Sequence, residues 1–174
     1  MEKNEIQFTN FKIHSQYSIC EGAVKIDALA EHCKKNKIRA IGLCDSHNLC
    51  GALEFAEKIS KVGTQPIIGT QINFKVENIV GKIPLFAKTI DGYKNLTKLS
   101  SSSYLESEVT SEPYCDLENL YNNSNGLVVL SGTVYDLFGK LFKLNKLDLI
   151  KNSLKKLNKA FPNNFYVEIQ RHLE

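Results

Sequence analysis

Polar side chains that could do chemistry collect where apolar runs of the sequence end. The run Ala40–Cys44 stops abruptly at Asp45-Ser46-His47-Asn48. Two further groups lie near the ends of predicted strands. One is Lys12 with His14, and the other is Glu168, Gln170 and His172. Because α/β folds place their functional groups at strand ends, these three groups are the candidates for a site.

The residue types allow more than one chemistry at each position. Two histidines two residues apart on a strand can share a metal ion, but Lys12 takes one of these places and an ammonium has no lone pair. His14 is therefore either a single ligand or a structural histidine. Asp45 could bind a metal or cap the following helix. Glu168, Gln170 and His172 fit an ion-pair or hydrogen-bond network as well as a metal site.

Several function classes lack support in the sequence. There is no glycine-rich phosphate loop, no G-x-S-x-G elbow and no interleaving of basic and aromatic residues. The formal charge of +3 comes almost wholly from lysine, and a lysine- and asparagine-rich bias on solvated faces explains it more simply than a nucleic-acid patch. Five cysteines without a Cys-x-x-Cys pair, and no visible signal peptide, predict reduced thiols in a cytoplasmic protein. No apolar run is long enough to cross a membrane.

Apolar periodicity predicts an alternation of strands and helices. The predicted strands are Phe8–His14, Ala40–Cys44, Gln65–Phe74, Ile83–Ala87, Leu127–Leu130 and Phe165–Ile169. The predicted helices are Ile26–Lys35, Gly51–Lys61, Tyr93–Ser103, Asp116–Tyr121 and Leu137–Leu157, with a mobile loop from Ser100 to Pro113. The alternation indicates an α/β fold with a parallel sheet. At 174 residues we expect one domain, 1–174, shorter than the roughly 250 residues of a closed (β/α) barrel. An incomplete barrel would leave an unpaired edge that favours self-association.

The order of seven segments resembles the PHP domain at the N-terminus of bacterial replicative DNA polymerase III alpha subunits, which are C-family polymerases. The segments are KIHSQYS (Lys12–Ser18), LCDSHNLCG (Leu43–Gly51), PIIGTQ (Pro66–Gln71), LFAK (Leu85–Lys88), GYKNLTKL (Gly92–Leu99), GLVVLSG (Gly126–Gly132) and FYVEIQRH (Phe165–His172). The resemblance implies a PHP-type distorted (β/α) barrel, truncated here to its N-terminal part. The strand ends of such a barrel can carry a three-metal phosphoesterase site.

Carrying the family's ligands over one by one gives a vestigial pocket. The His-x-His motif falls on Lys12 and His14, and the acidic residue before a glycine falls on Glu21. The remaining ligand positions fall on Asp45, Ser46, Gln71, a position near Lys82, and His172. Any metal that did bind would use His14, Glu21, Asp45 and His172.

The substitutions predict a pocket held together by ion pairs and containing no metal. Lys12 and Lys82 would occupy the metals' place and neutralise Asp45, Glu21 and Glu168. Asp45 would be a helix-capping or lysine-paired remnant. His47, one residue beyond the family's histidine position, would point elsewhere.

The resemblance also implies a function for the whole subunit. That subunit is a DNA-directed DNA polymerase (a nucleotidyltransferase) for chromosomal replication, using Mg2+ bound in a domain outside this sequence. The PHP part would have no catalytic residues or cofactor and would dock the proofreading exonuclease subunit, with other holoenzyme subunits and DNA bound elsewhere. The alternatives are a metal-dependent phosphoesterase, including a free-standing PHP phosphatase, or a 3′–5′ proofreading nuclease.

Overall fold

The computed structural model describes residues 8–107 and 112–170. Within them, six strands and six helices follow one another along the chain. The strands are β1 (Ala40–Ser46), β2 (Gln65–Val76), β3 (Ile79–Ala87), β4 (Cys115–Asp116), β5 (Leu127–Leu130) and β6 (Phe165–Tyr166). The helices are α1 (Ile26–Lys35), α2 (Ala52–Lys61), α3 (Ile90–Leu105), α4 (Leu117–Asn122), α5 (Leu137–Lys143) and α6 (Leu147–Ala160). The predicted α/β class is confirmed.

The strands form one mixed sheet in the order β1-β2-β3-β5-β6, with β4 beside the end of β2. β1 and β2 are parallel, as are β5 and β6, whereas β3 runs antiparallel to both of its neighbours. The prediction of a parallel sheet was therefore wrong at its centre. Only Glu77 and Asn78 separate β2 from β3, and two residues make a hairpin but cannot hold a crossover helix. Glu77 takes the left-handed conformation (φ 52°) that such a turn requires.

The segment predicted as a first strand, Phe8–His14, lies beside β1 but is not a regular strand. It contacts β1 through two backbone hydrogen bonds, from Gly42 to Asn10 (2.7 Å) and from Cys44 to Ile13 (2.8 Å). The acceptors are three residues apart and the donors two, so one extra residue in the segment breaks the ladder, as in a bulge. Apolar alternation in the sequence could not reveal that extra residue.

The two edges of the sheet approach each other. Lys12, in the segment beside β1, forms an ion pair with Glu168, which follows β6 at the opposite edge. The ring of Phe11 also lies edge-on to Phe86 of β3, with centroids 5.5 Å apart. The sheet therefore curls into a distorted, partly closed barrel, around a cavity of about 590 Å³ at the end remote from Asp45.

Two apolar cores flank the curled sheet. The smaller lies under α1 and α2, where Phe55 and Ile59 are fully buried and Leu53 faces solvent. The larger lies under α3 to α6. None of the helices among the described residues is both long and apolar enough to span a bilayer. Cys33, Cys44 and Cys115 are buried and Cys20 and Cys50 exposed, all as free thiols.

Several element boundaries differ from the predictions. The helix α3 continues to Leu105, so the predicted mobile loop was wrong from Ser100 to that residue, because Leu99 and Ser103 are buried against the sheet. The predicted helix Leu137–Leu157 is two helices, interrupted where Asn145 takes a positive φ of 55°. The last strand ends at Tyr166 instead of Ile169, and the short strand β4 was not predicted.

Candidate functional site

Asp45, at the end of β1, organises the backbone around it. Its carboxylate accepts hydrogen bonds from the backbone N–H of Ser15 (2.6 Å), the hydroxyl of Ser15 (2.7 Å) and the hydroxyl of Ser18 (2.7 Å). The residue is only 1% exposed. A buried carboxylate is stable only when its oxygens are satisfied in this way. Asp45 therefore fixes the turn that follows the first segment against β1.

This geometry corrects the two roles predicted for Asp45. The N-cap residue of α2 is Gly51, and no side chain of the described residues forms a capping hydrogen bond there. Among the described residues, no lysine forms an ion pair with Asp45, because its oxygens face the Ser15 and Ser18 donors. Local sequence patterns could not indicate these partners, since they lie about thirty residues away along the chain.

Ser46 is the centre of a second network, which we call the Lys82 network (Glu21, Ser46, Gln71 and Lys82). The Ser46 hydroxyl donates to Glu21 and accepts from Gln71 Nε2 (2.8 Å) and Lys82 Nζ (3.2 Å). Lys82 also forms an ion pair with Glu21. Burial raises the pKa of Glu21, but the hydrogen bonds from Lys82 and Ser46 outweigh it and bring the pKa below its usual value.

The pair of Lys12 and Glu168 forms a third cluster across the mouth of the barrel. Lys12 Nζ lies 3.1 and 3.2 Å from the two oxygens of Glu168, whose side chain is 14% exposed. Gln170 Nε2 donates to the same carboxylate at 3.1 Å. The backbone N–H of Glu168 donates to Ser131 Oγ (3.0 Å), which holds the strand-end segment in place.

The structure brings most of the predicted residues to one cavity. Lys12, His14, Gln71, Lys82, Glu168 and Gln170 all line a polar cavity of about 350 Å³. Ser46 and Glu21 are hydrogen-bonded to the lining residues Gln71 and Lys82 but, like Asp45, are not themselves among the lining residues. His172 lies outside the described residues.

The two histidines near this cavity are not hydrogen-bonded through their buried ring nitrogens. Nδ1 of His14 and Nδ1 of His47 are both buried and have no partner within the described part of the chain. Burial lowers the pKa of His14, Lys12 and Lys82 lower it further, and Glu21 and Asp45 oppose the shift. Burial likewise lowers the pKa of His47. His47 has a positive φ of 61° and does not line the cavity, in line with the prediction that it points elsewhere.

The residues present do not fit the metal ions that the resemblance implies. The acidic side chains at or beside the cavity already have partners: Asp45 has Ser15 and Ser18, Glu21 has Lys82 and Ser46, Glu168 has Lys12, and Asp136, which lines the cavity, accepts from the backbone N–H of Thr133. No group of three histidine, cysteine or acidic side chains within residues 8–107 and 112–170 converges so that it could hold a metal. Two ammonium groups stand at the cavity wall instead, and they repel cations.

Comparison with known proteins gives one family and one group of relatives. The PHP domain family matches residues 10–172. DNA polymerase III subunit alpha of Borreliella burgdorferi is 37% identical over 177 residues, which cover 95% of this chain and 15% of that protein. The same subunit of Caulobacter vibrioides is 35% identical over 175 residues, with the same coverage. The chain thus spans about 15% of the length of these relatives.

A solved structure supports the fold. A protein assigned as a metal-dependent phosphoesterase, from Bifidobacterium adolescentis, aligns with 92% of this chain and 76% of its own, with a TM-score of 0.55 and 10% sequence identity. At that identity the likeness concerns the fold alone. The distorted-barrel architecture predicted from the seven segments is therefore confirmed.

Proposed function

Because this chain belongs to the PHP domain family, we propose that it serves as the PHP domain of a DNA polymerase III alpha subunit and acts there as a metal-free scaffold. The similarity to alpha subunits of several bacteria supports the first part of the proposal. DNA-directed DNA synthesis, with its Mg2+, would be carried out by other domains of the full-length subunit. We propose a cytoplasmic location, where chromosomal replication takes place.

The main support for the scaffold role is that ion pairs already occupy the pocket. Lys12 and Lys82 form ion pairs with Glu168 and Glu21 where the family has metal ligands. Hydrolysis of a phosphoester by this family's chemistry requires metal-activated water, and the described acidic side chains at this pocket are already ion-paired or hydrogen-bonded within the protein. The pocket therefore supplies cross-links between strand ends in place of a catalytic centre.

A hydrolysis assay separates the scaffold from its competitor, a phosphoesterase or proofreading nuclease. The chain is incubated with p-nitrophenyl phosphate and, separately, with labelled single-stranded DNA, in the presence of Mn2+ or Zn2+. We expect rates equal to those of a His14→Ala variant and of buffer. Metal-dependent turnover that disappears in His14→Ala would establish the competing function.

The scaffold would dock the separate proofreading exonuclease subunit of the same replicase. In gel filtration we expect the chain to co-elute with purified exonuclease subunit as a 1:1 complex. A competition arm, in which excess unlabelled chain displaces labelled chain, separates specific docking from adsorption. Independent elution of the two proteins at micromolar concentration would refute the docking role without affecting the family assignment.

A further inference from the structure

The helix α6 carries an exposed stripe of three lysines. Lys151, Lys155 and Lys159 follow one another at intervals of four residues, so they lie along one face of the helix. All three are exposed. The opposite face is buried through Ser153 and Leu157. The stripe therefore points away from the protein.

The surrounding charges are also unbalanced. Between Leu137 and Ala160 the sequence has seven lysines and a single acidic residue, Asp148, whereas the whole chain has a net charge of only +3. The rest of the chain is therefore net negative. A positive region of this kind on an otherwise negative protein produces a local field that attracts polyanions.

The other lysines of this region already have partners within the protein. Lys140 donates to the carbonyl of Val80 (2.8 Å), and Lys143 lies over the ring of Tyr135 (4.8 Å). Lys146 and Lys156 form ion pairs, with Glu77 at 3.6 Å and Glu118 at 2.6 Å respectively. In the described part of the chain, the three stripe lysines form no ion pair.

Ordinary features of helices do not account for the stripe. The helix dipole favours a lysine in the last turn, which covers Lys159 but neither Lys151 nor Lys155. Solvated helices of this protein mix the two signs, as α2 does where Lys58 contacts both Glu54 and Asp27. Lysines four residues apart repel each other, so the stripe weakens the helix unless an anion lies along it.

We propose that the α6 stripe (Lys151, Lys155 and Lys159) binds the phosphodiester backbone of nucleic acid. Successive lysines are about 6 Å apart along the helix axis, so each can contact a different phosphate of one nucleic-acid strand. The stripe has lysines and no arginine, so its contacts are point charges without a forked geometry for reading bases. The binding is therefore independent of base sequence. It adds a nucleic-acid contact to the scaffold and does not depend on the state of the pocket.

The test is a titration of a fluorescent 20-base-pair DNA duplex with the full chain, followed by anisotropy at several salt concentrations. Three lysine–phosphate contacts contribute about −2.7 to the slope of log K against log salt, which is roughly a 40-fold loss of affinity between 50 and 200 mM salt. The variant Lys151→Gln/Lys155→Gln/Lys159→Gln should lose most of that slope and bind more weakly at low salt. Circular dichroism checks that α6 still folds.

A charge-matched control distinguishes the stripe from net charge. Three exposed lysines at the ends of α1 and α2 are replaced by glutamine, namely Lys34, Lys35 and Lys61. The proposal predicts that this variant retains the wild-type slope. An equal loss in both variants, or no binding by the wild type at 20 mM salt, would overturn it. Displacement of the duplex by a polyglutamate peptide of equal charge at equal concentration would instead indicate an acidic protein partner and would also overturn it.

Discussion

Replacing Lys12 by methionine is the perturbation that best isolates the ion pair closing the barrel mouth. Methionine keeps much of the length and apolar stem of lysine but removes the ammonium. Glu168, whose side chain is 14% exposed beside Lys12, would then have Gln170 as its remaining side-chain donor among the described residues. Because Lys12 and Glu168 belong to opposite edges of the sheet, the loss should loosen the closure of the barrel as well as leave a carboxylate unpaired.

The size of the effect follows from the burial of the pair. Removing one partner of a fully buried pair costs about 3–5 kcal/mol, and exposed pairs contribute about 0–1 kcal/mol. Side chains that are 18% and 14% exposed lie between these limits. We therefore expect Lys12→Met to lower the free energy of unfolding by about 2 kcal/mol. For a chain of this length that is a fall in Tm of roughly 4–8 °C.

The assay is thermal unfolding followed by circular dichroism at pH 7. The double variant Lys12→Met/Glu168→Gln should recover most of the lost stability, because it removes the uncompensated charge. Lys156→Met is the matched control, since its pair with Glu118 is 59% and 67% exposed, and we expect it to lower Tm by no more than about 3 °C. A Lys12→Met variant no less stable than this control, or a double variant no better than the single one, would refute the closure argument.

Three further results are expected. Because the pKa of Glu21 is lowered, its carboxylate stabilises the fold above the unfolded pKa near 4.5, and this stabilisation is lost as pH falls through the folded pKa. In Lys82→Met the free energy of unfolding should therefore depend less on pH below about pH 5. An unchanged pH dependence would count against the pairing. Because the pKa of His14 is lowered, its neutral form contributes its full stabilisation above about pH 6.5, and the free energy of unfolding falls at lower pH as the unfolded chain takes up the proton first. The free energy of unfolding of His14→Gln should therefore change less between pH 7 and 5 than that of the wild type. Chemical denaturation at the two pH values measures this difference, and an equal change in both proteins would contradict it. Gly126→Ala should lower Tm more than Gly63→Ala. Both glycines have a positive φ, but an added Cβ would clash with Thr89 at Gly126 and would meet no atom within 4 Å at Gly63. Equal falls in Tm would contradict the clash.

Local patterns predicted the elements whose signals are confined to a few neighbouring residues. The strand Leu127–Leu130 and the helix Ile26–Lys35 have the predicted bounds, since a short apolar run and a 3.6-residue stripe report burial directly. The direction of β3 was predicted wrongly, because it depends on the two residues Glu77 and Asn78 between β2 and β3. The extra residue between Asn10 and Ile13 was missed for a similar reason, since bulges have no strong apolar signature.

In the site, too, the positions of the residues were predicted better than their long-range partners. The resemblance placed Lys12 and Lys82 in the pocket, and the structure shows each of them paired with a glutamate there. The resemblance did not predict which carboxylate each lysine pairs with. Asp45 was misassigned because its hydrogen-bond donors come from a turn about thirty residues earlier, and pairings over that distance are decided by the fold.

The most direct test of the account is the metal content of the purified chain. The protein is expressed in medium supplemented with zinc, manganese and iron, purified without chelator, and analysed by inductively coupled plasma mass spectrometry, with Tm measured before and after EDTA. If ion pairs take the place of metals at the strand ends, the chain should contain far less than one equivalent of any of the three metals. Its Tm should then be the same before and after chelation. A stoichiometric metal, with a Tm that falls when it is removed, would show instead that the pocket is a metal site.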